Sequence, residues 1–123
     1  MAGQNVRSVS GGYVTDLLSP LGESATIDGT AKYKDCPQAS FQGTVIGTGA
    51  VTATIVVDCS DHSSDGTIDG TVYWNATALG TITLSGTTSN ADGFDTNATW
   101  KFVRARLTAI SGTGAKAYCK MVA

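Results

Sequence analysis

Apolar positions along this chain alternate with polar ones instead of recurring at helical spacing. In Leu79-Gly80-Thr81-Ile82-Thr83-Leu84-Ser85-Gly86-Thr87-Thr88, Ile and Leu alternate with Thr and Ser, the pattern of a strand with one buried face. Val51, Ala53, Ile55 and Val57 form a second such row, which runs on to Cys59. Ala105, Leu107 and Ala109 form a third, and Ala115, Ala117, Cys119 and Met121 a fourth. The pattern predicts strands near residues 24–33, 38–46, 51–59, 71–77, 79–85, 100–110 and 115–122. Asp-Gly pairs at Asp28-Gly29, Asp65-Gly66, Asp69-Gly70 and Asp92-Gly93 mark turns or bulges. The expected fold is all-β, an antiparallel β-sandwich of jelly-roll-like form with an extended N-terminal arm.

Residues 1–22 differ from the sandwich domain expected over 23–123. Gly11-Gly12, Leu17-Leu18, Pro20 and Gly22 read as an arm or irregular edge segment. Val6, Val9, Tyr13, Val14, Leu17 and Leu18 make it too apolar for a free tail. It is expected to pack on its own sandwich or on a neighbouring subunit.

Two similar segments, Ile46-Gly47-Thr48-Gly49-Ala50 and Ile110-Ser111-Gly112-Thr113-Gly114-Ala115, each link two alternating rows and read as hairpin tips. Residues facing each other across a ladder lie on one side of it. A hairpin of the last two rows therefore pairs Leu107 with Ala117 across Ser111-Gly112-Thr113, and the earlier one pairs Val45 with Val51 across Gly47-Thr48-Gly49. On that register Arg104 faces Lys120, Arg106 faces Tyr118, and Lys116 faces Thr108. Like charges so placed call for an anionic neighbour, from the Asp58–Asp69 segment or from another subunit.

Composition agrees with short strands and tight turns: of 123 residues 15 are Gly, and only 15 % are charged. The length suits one domain. No apolar run approaches the ~20 residues of a membrane span. The start Met1-Ala2-Gly3-Gln4-Asn5 lacks the basic and apolar stretches of a signal peptide, so synthesis in a cytoplasm without export is expected. Cys36, Cys59 and Cys119 are then expected to be reduced, buried thiols, with Cys59 and Cys119 facing the core. The net charge of −2 is unevenly placed. Asp58, Asp61, Asp65 and Asp69 cluster mid-chain, whereas Lys101, Arg104, Arg106, Lys116 and Lys120 fill the C-terminal end.

Little here points to catalysis. His62, the only histidine, lies in a polar loop with Ser60, Asp61 and Ser63, but a triad needs groups converging from different segments. Asp61, Asp65 and Asp69 do not follow the odd-position spacing of an EF-hand calcium loop. The chain has one glutamate, Glu23, and its aspartates lie in or beside turns, which gives little support to a glycosidase pair. No cofactor and no metal site is expected. Asn75-Ala76-Thr77 and Asn97-Ala98-Thr99 match the glycosylation pattern, read as chance in a Thr-rich chain without a secretory signal. Tyr73 and Trp74 raise sugar stacking; because they alternate, the expectation is that Trp74 fills the core and Tyr73 faces out. Nucleic acid is not an expected partner, since the basic face is small and the chain acidic.

The stretch from about Ala39 to Lys120 resembles small β-sandwich virion proteins of tailed bacteriophages. The residues that carry the likeness are Thr48-Gly49-Ala50-Val51-Thr52-Ala53, Trp74, the Leu79–Thr88 strand and Trp100-Lys101-Phe102-Val103-Arg104-Ala105 through Ala115. The short turn that precedes the tryptophan in that group is expanded here to Ser60–Gly70, and the cysteines lie outside the pattern. The resemblance implies a non-enzymatic virion protein, foremost a capsid decoration (cement) protein that binds the major capsid protein and copies of itself. A tail, neck or fibre component is the nearby alternative, and a carbohydrate-binding module using Tyr73 and Trp74 the distant one. Val6, Val9, Tyr13, Leu17, Leu18, Arg104, Arg106, Lys116 and Lys120 are the candidate partner contacts.

Overall fold

A computed structural model describes residues 13–62 and 73–123. Those residues form nine strands: β1 (Val14–Asp16), β2 (Ile27–Asp28), β3 (Lys32–Tyr33), β4 (Ala39–Ile46), β5 (Val51–Ser60), β6 (Gly80–Gly86), β7 (Ser89–Thr96), β8 (Phe102–Ser111) and β9 (Lys116–Val122). One sheet has the order β1-β9-β4-β7 and the other β2-β8-β5-β6, with β3 pairing further along β8. Every ladder is antiparallel. The chain is an all-β sandwich.

The alternating rows supply the core. Phe41 and Val45 of β4 and Ala117, Cys119 and Met121 of β9 face Val51, Ala53, Ile55 and Val57 of β5, Ile82 and Leu84 of β6, and Val103, Ala105 and Leu107 of β8. Gly43 lets the sheets approach, because a Cβ there would stand 3.0 Å from Ile55 and 3.1 Å from Ile82. Cys59 and Cys119 point inward as expected, whereas Cys36 is exposed. The reason is local: Cys36 lies outside any strand, so no alternation turns it inward.

Strand pairing is nested. β1 pairs with β9, β2 and β3 with β8, β4 with β7, and β5 with β6. The chain is thus a long double ribbon, folded over so that β4–β9 and β5–β8 ladders complete the two sheets.

This overturns the expected hairpins. Val45 pairs with Ala117, not Val51, and Leu107 pairs with Ile55, not Ala117. Both glycine-rich links cross from one sheet to the other, and they lie together. The Thr48 N–H and Oγ1 both donate to the Thr113 carbonyl, at 3.0 and 2.9 Å. Alternation reports which face of a strand is buried. In a sandwich both sheets bury an inner face, so a shared face does not identify the partner strand.

Other departures have local causes. The β5–β8 register shifts between Thr54 and Ile55, leaving Thr108 without a partner, so Ala109 turns outward and Ile110 packs on the core. The strand expected over 24–33 is reduced to β2 and β3. It is interrupted at Gly29, where a Cβ would meet the Leu17 and Ala105 carbonyl oxygens at 2.4 and 2.6 Å. Of the strand expected over 71–77, the described residues 73–77 form none. Strand β7 was not expected at all.

The arm belongs partly to the sandwich. Val14, Thr15 and Asp16 pair with Val122, Met121 and Lys120, and Leu17 and Leu18 are buried in the core. These two leucines serve the chain's own interior, not a partner's surface. Val6 and Val9 lie outside the described residues.

Candidate interaction surface

The charged residues expected on one basic face are divided between the two sheets. Because β8 and β9 lie in different sheets, Arg104 does not face Lys120. Lys120 instead forms an ion pair with Asp16 across the β1–β9 ladder. Lys116 is exposed at the start of β9, beside the second crossover.

On the outer face of the five-stranded sheet, Arg104 lies opposite Asp58 and Arg106 opposite Val56. The Asp58 carboxylate is only 6 % exposed, and both guanidiniums converge on it. Arg104 Nε donates to Oδ2 at 2.9 Å; Arg106 donates from Nε to Oδ2 at 2.6 Å and from Nη2 to Oδ1 at 3.2 Å. Hydrogen bonding to Asp58 raises the Arg106 guanidinium above its ordinary value. Asp28 adds a weaker contact to Arg104 at 3.9 Å. The anionic neighbour that the arginines required is therefore the chain's own Asp58.

Trp74 packs against Arg104 of this cluster. Its ring lies 4.6 Å from the Arg104 guanidinium carbon, a cation–π contact, and it is half-buried outside the core. This corrects the expectation that Trp74 fills the interior. The backbone explains it: Asn75 N–H donates to Cys59 C=O, and Leu79 N–H to Val57 C=O. Residues 75–79 follow β5 but bulge between those points, so strict alternation does not apply to Tyr73 and Trp74. Tyr73 is exposed, as expected, in an edge-on contact with the His62 ring whose centroid is 4.8 Å from its own. Its carbonyl accepts from Ser60 Oγ, which also accepts from the His62 N–H at 2.9 Å. Asp61 accepts the Lys101 N–H, while Asp65 and Asp69 lie outside the described residues. Among the described residues no cluster of three His, Cys, Asp or Glu side chains is placed to hold a metal ion.

One polar site had no signal in the sequence. Lys34 is 1 % exposed, and its ammonium donates to the carbonyls of Cys36, Pro37 and Ala98 at 2.8, 2.8 and 2.7 Å. All three ammonium protons are satisfied, which makes the burial tolerable. Burial still lowers the Lys34 pKa, and the neighbouring Lys101 adds to the effect. The site ties the loop before β4 to the loop before β8. Lys34-Asp35-Cys36-Pro37 reads as a polar turn, and nothing local announces a carbonyl supplied by Ala98.

These arrangements satisfy charge within the fold. The described surface also carries exposed apolar side chains. Tyr13 is 73 % exposed and Val14 64 %, and Val122 beside Val14 is exposed as well. No family model matches the chain, and no curated protein and no solved structure matches it either.

Proposed function

We propose that this chain is a non-enzymatic structural protein of a tailed-bacteriophage virion, foremost a capsid decoration (cement) protein bound to the outer surface of the head. The observation that carries the reading is the nested strand pairing, first with last and inward to β5 with β6. We read that order as a jelly roll, an architecture that recurs in viral capsid and lectin domains. The segments behind the family resemblance occupy its frame: Leu79–Thr88 spans β6 and the turn after it, and Trp100–Ala115 spans β8 and the second crossover.

A cement protein works by rigidity and repetition. A sandwich whose outer faces are braced by ion pairs spans neighbouring capsid subunits, and the symmetry of the shell multiplies each weak contact. The partners in this reading are the major capsid protein and further copies of this chain, and its location is the virion. A tail, neck or fibre position would use the same features. Sugar binding has less support, because one face of Trp74 is taken by Arg104 and Tyr73 and Trp74 do not form a shared exposed platform.

The test is co-sedimentation of the purified protein with capsids that lack it, followed by thermal disruption of the loaded capsids. Saturable binding at fixed copy number with a raised disruption temperature is expected. Absence of binding, together with saturable affinity for a glycan, would overturn the proposal.

A further inference from the structure

The sandwich is open along one side. Tyr13 and Ala123 exchange both backbone hydrogen bonds, at 2.9 and 3.2 Å, and Leu17 N–H donates to Cys119 C=O at 2.8 Å. Bonded and non-bonded pairs alternate along an antiparallel ladder, so the N–H and C=O groups of Val14 and Asp16 point away from β9. Among the described residues nothing pairs with them, and they form the free edge of β1. Beside that edge lies a cleft of about 540 Å³, bounded across the sandwich by Ile27, Asp28 and Lys32. Three carboxylates, Asp16, Glu23 and Asp28, line it against one lysine. A free edge next to an acidic cleft suits an extended segment that carries apolar residues and a basic one.

The chain carries such a segment outside the described residues. Residues 1–12 join the fold at Tyr13, the end of this edge, and include Val6-Arg7-Ser8-Val9. Set antiparallel to β1 with Val9 opposite Val14, the segment brings Arg7 opposite Asp16 and Val6 opposite Leu17. Val9 then extends the outer apolar row of Val14 and Val122, and Arg7 joins Lys120 at the Asp16 carboxylate. A shift of one residue reverses every match.

We propose that the β1 edge and its cleft receive Val6–Val9 of a second copy of this chain as an added antiparallel strand. The source is a second copy because of Tyr13. A tight Gly11-Gly12 hairpin closes on a pair, Ser10 and Tyr13, that exchanges both hydrogen bonds. The Tyr13 N–H and C=O are already committed to Ala123. The inference rests on the proposed function only in that both have the protein act in several copies.

The test uses Val9→Cys and Val14→Cys as separate variants, each with the exposed Cys36 replaced by Ser. Facing bonded residues have Cα atoms about 5.5 Å apart, within disulfide reach. Mild oxidation of the mixture is expected to give a covalent dimer joining one variant to the other, in several-fold excess over either alone. Sedimentation of the unmodified chain should give a dimer or larger species, and the chain lacking residues 1–12 should give half that mass or less. A monomeric full chain, or a mixture that cross-links no better than its components, would overturn the inference. So would a Val9→Cys/Val14→Cys double variant that closes only within one chain. Capsid binding by a full chain that stays monomeric would leave the virion reading standing while this one fails.

Discussion

Asp58 holds two cations that would otherwise repel each other across the outer face of β8. Replacement by Asn keeps the shape but removes the charge, leaving Arg104 and Arg106 side by side on β8 with Trp74 against Arg104. Breaking a mostly buried pair costs several kcal/mol, and the partial exposure of both arginines reduces that. Asp58→Asn is expected to lower unfolding free energy by about 1–3 kcal/mol in urea titrations, with the slope unchanged. A second residue-scale effect is pH-dependent. Burial pushes Cys119 from 9.0 up to about 12, so the folded chain keeps a proton that the unfolded chain releases. That contribution is complete below pH 9 and is lost as pH rises toward 12, at no more than about 1.4 kcal/mol per unit. Lys34 acts in the opposite sense, because its lowered pKa makes the folded chain shed that proton first. Comparison with Cys119→Val isolates the thiol: the stability difference between parent and variant should shift against the parent as pH rises through this range. The inward placement of Cys59 and Cys119 was legible from period-two spacing. The Lys34 site was not, because its third acceptor is 64 residues away along the chain.

The two crossovers are the elements on which the topology turns. Gly112 and Gly114 have φ of +121° and +64°, both in the region that favours glycine. Their surroundings differ. A Cβ on Gly114 meets only Thr48 Oγ1 at 3.6 Å, whereas one on Gly112 meets the Ala50 carbonyl oxygen at 2.6 Å and Val51 at 2.8 Å. Gly114→Ala should therefore cost about 1 kcal/mol of backbone strain, and Gly112→Ala about 2–4 kcal/mol, as strain and overlap add. Equilibrium unfolding of the two variants would reveal the ranking, and equal costs would contradict the geometry. Legibility at this scale follows burial. Strands β4, β5, β6, β8 and β9 each bury one face and were readable from alternation. Strand β7 was not, because Ser89–Thr96 is Ser-Asn-Ala-Asp-Gly-Phe-Asp-Thr, with one large apolar residue. Its place comes from the ladder to β4 and from Phe94 stacking on Phe41, with centroids 5.0 Å apart. The likeness of the two Gly-Thr-Gly links was visible, but their contact through Thr48 and Thr113 depends on sheet order.

At the scale of the molecule, nested pairing makes the beginning of the fold depend on its end. β1 closes on β9, and the residues just after it, Leu17 and Leu18, are 2 % and 4 % exposed. The boundary drawn from sequence at residue 22 therefore runs through the sandwich, because low alternation and a Pro-Gly composition concealed a short edge strand and two core residues. Two shortened chains separate the segments. Removal of residues 1–12 takes away nothing from the ladders or core of the described residues, so the remaining chain should retain its near-ultraviolet circular dichroism and melt cooperatively. Removal through Leu18 deletes β1 and both leucines. Each buried leucine is worth about 2–5 kcal/mol, against a total stability of about 5–15 kcal/mol for a domain. The shorter chain should then lose its cooperative transition or melt far below the first. If both chains melted alike, β1 and the leucine pair would be dispensable and the fold would begin where the sequence boundary put it. If both failed to fold, residues 1–12 would be needed to complete the sandwich.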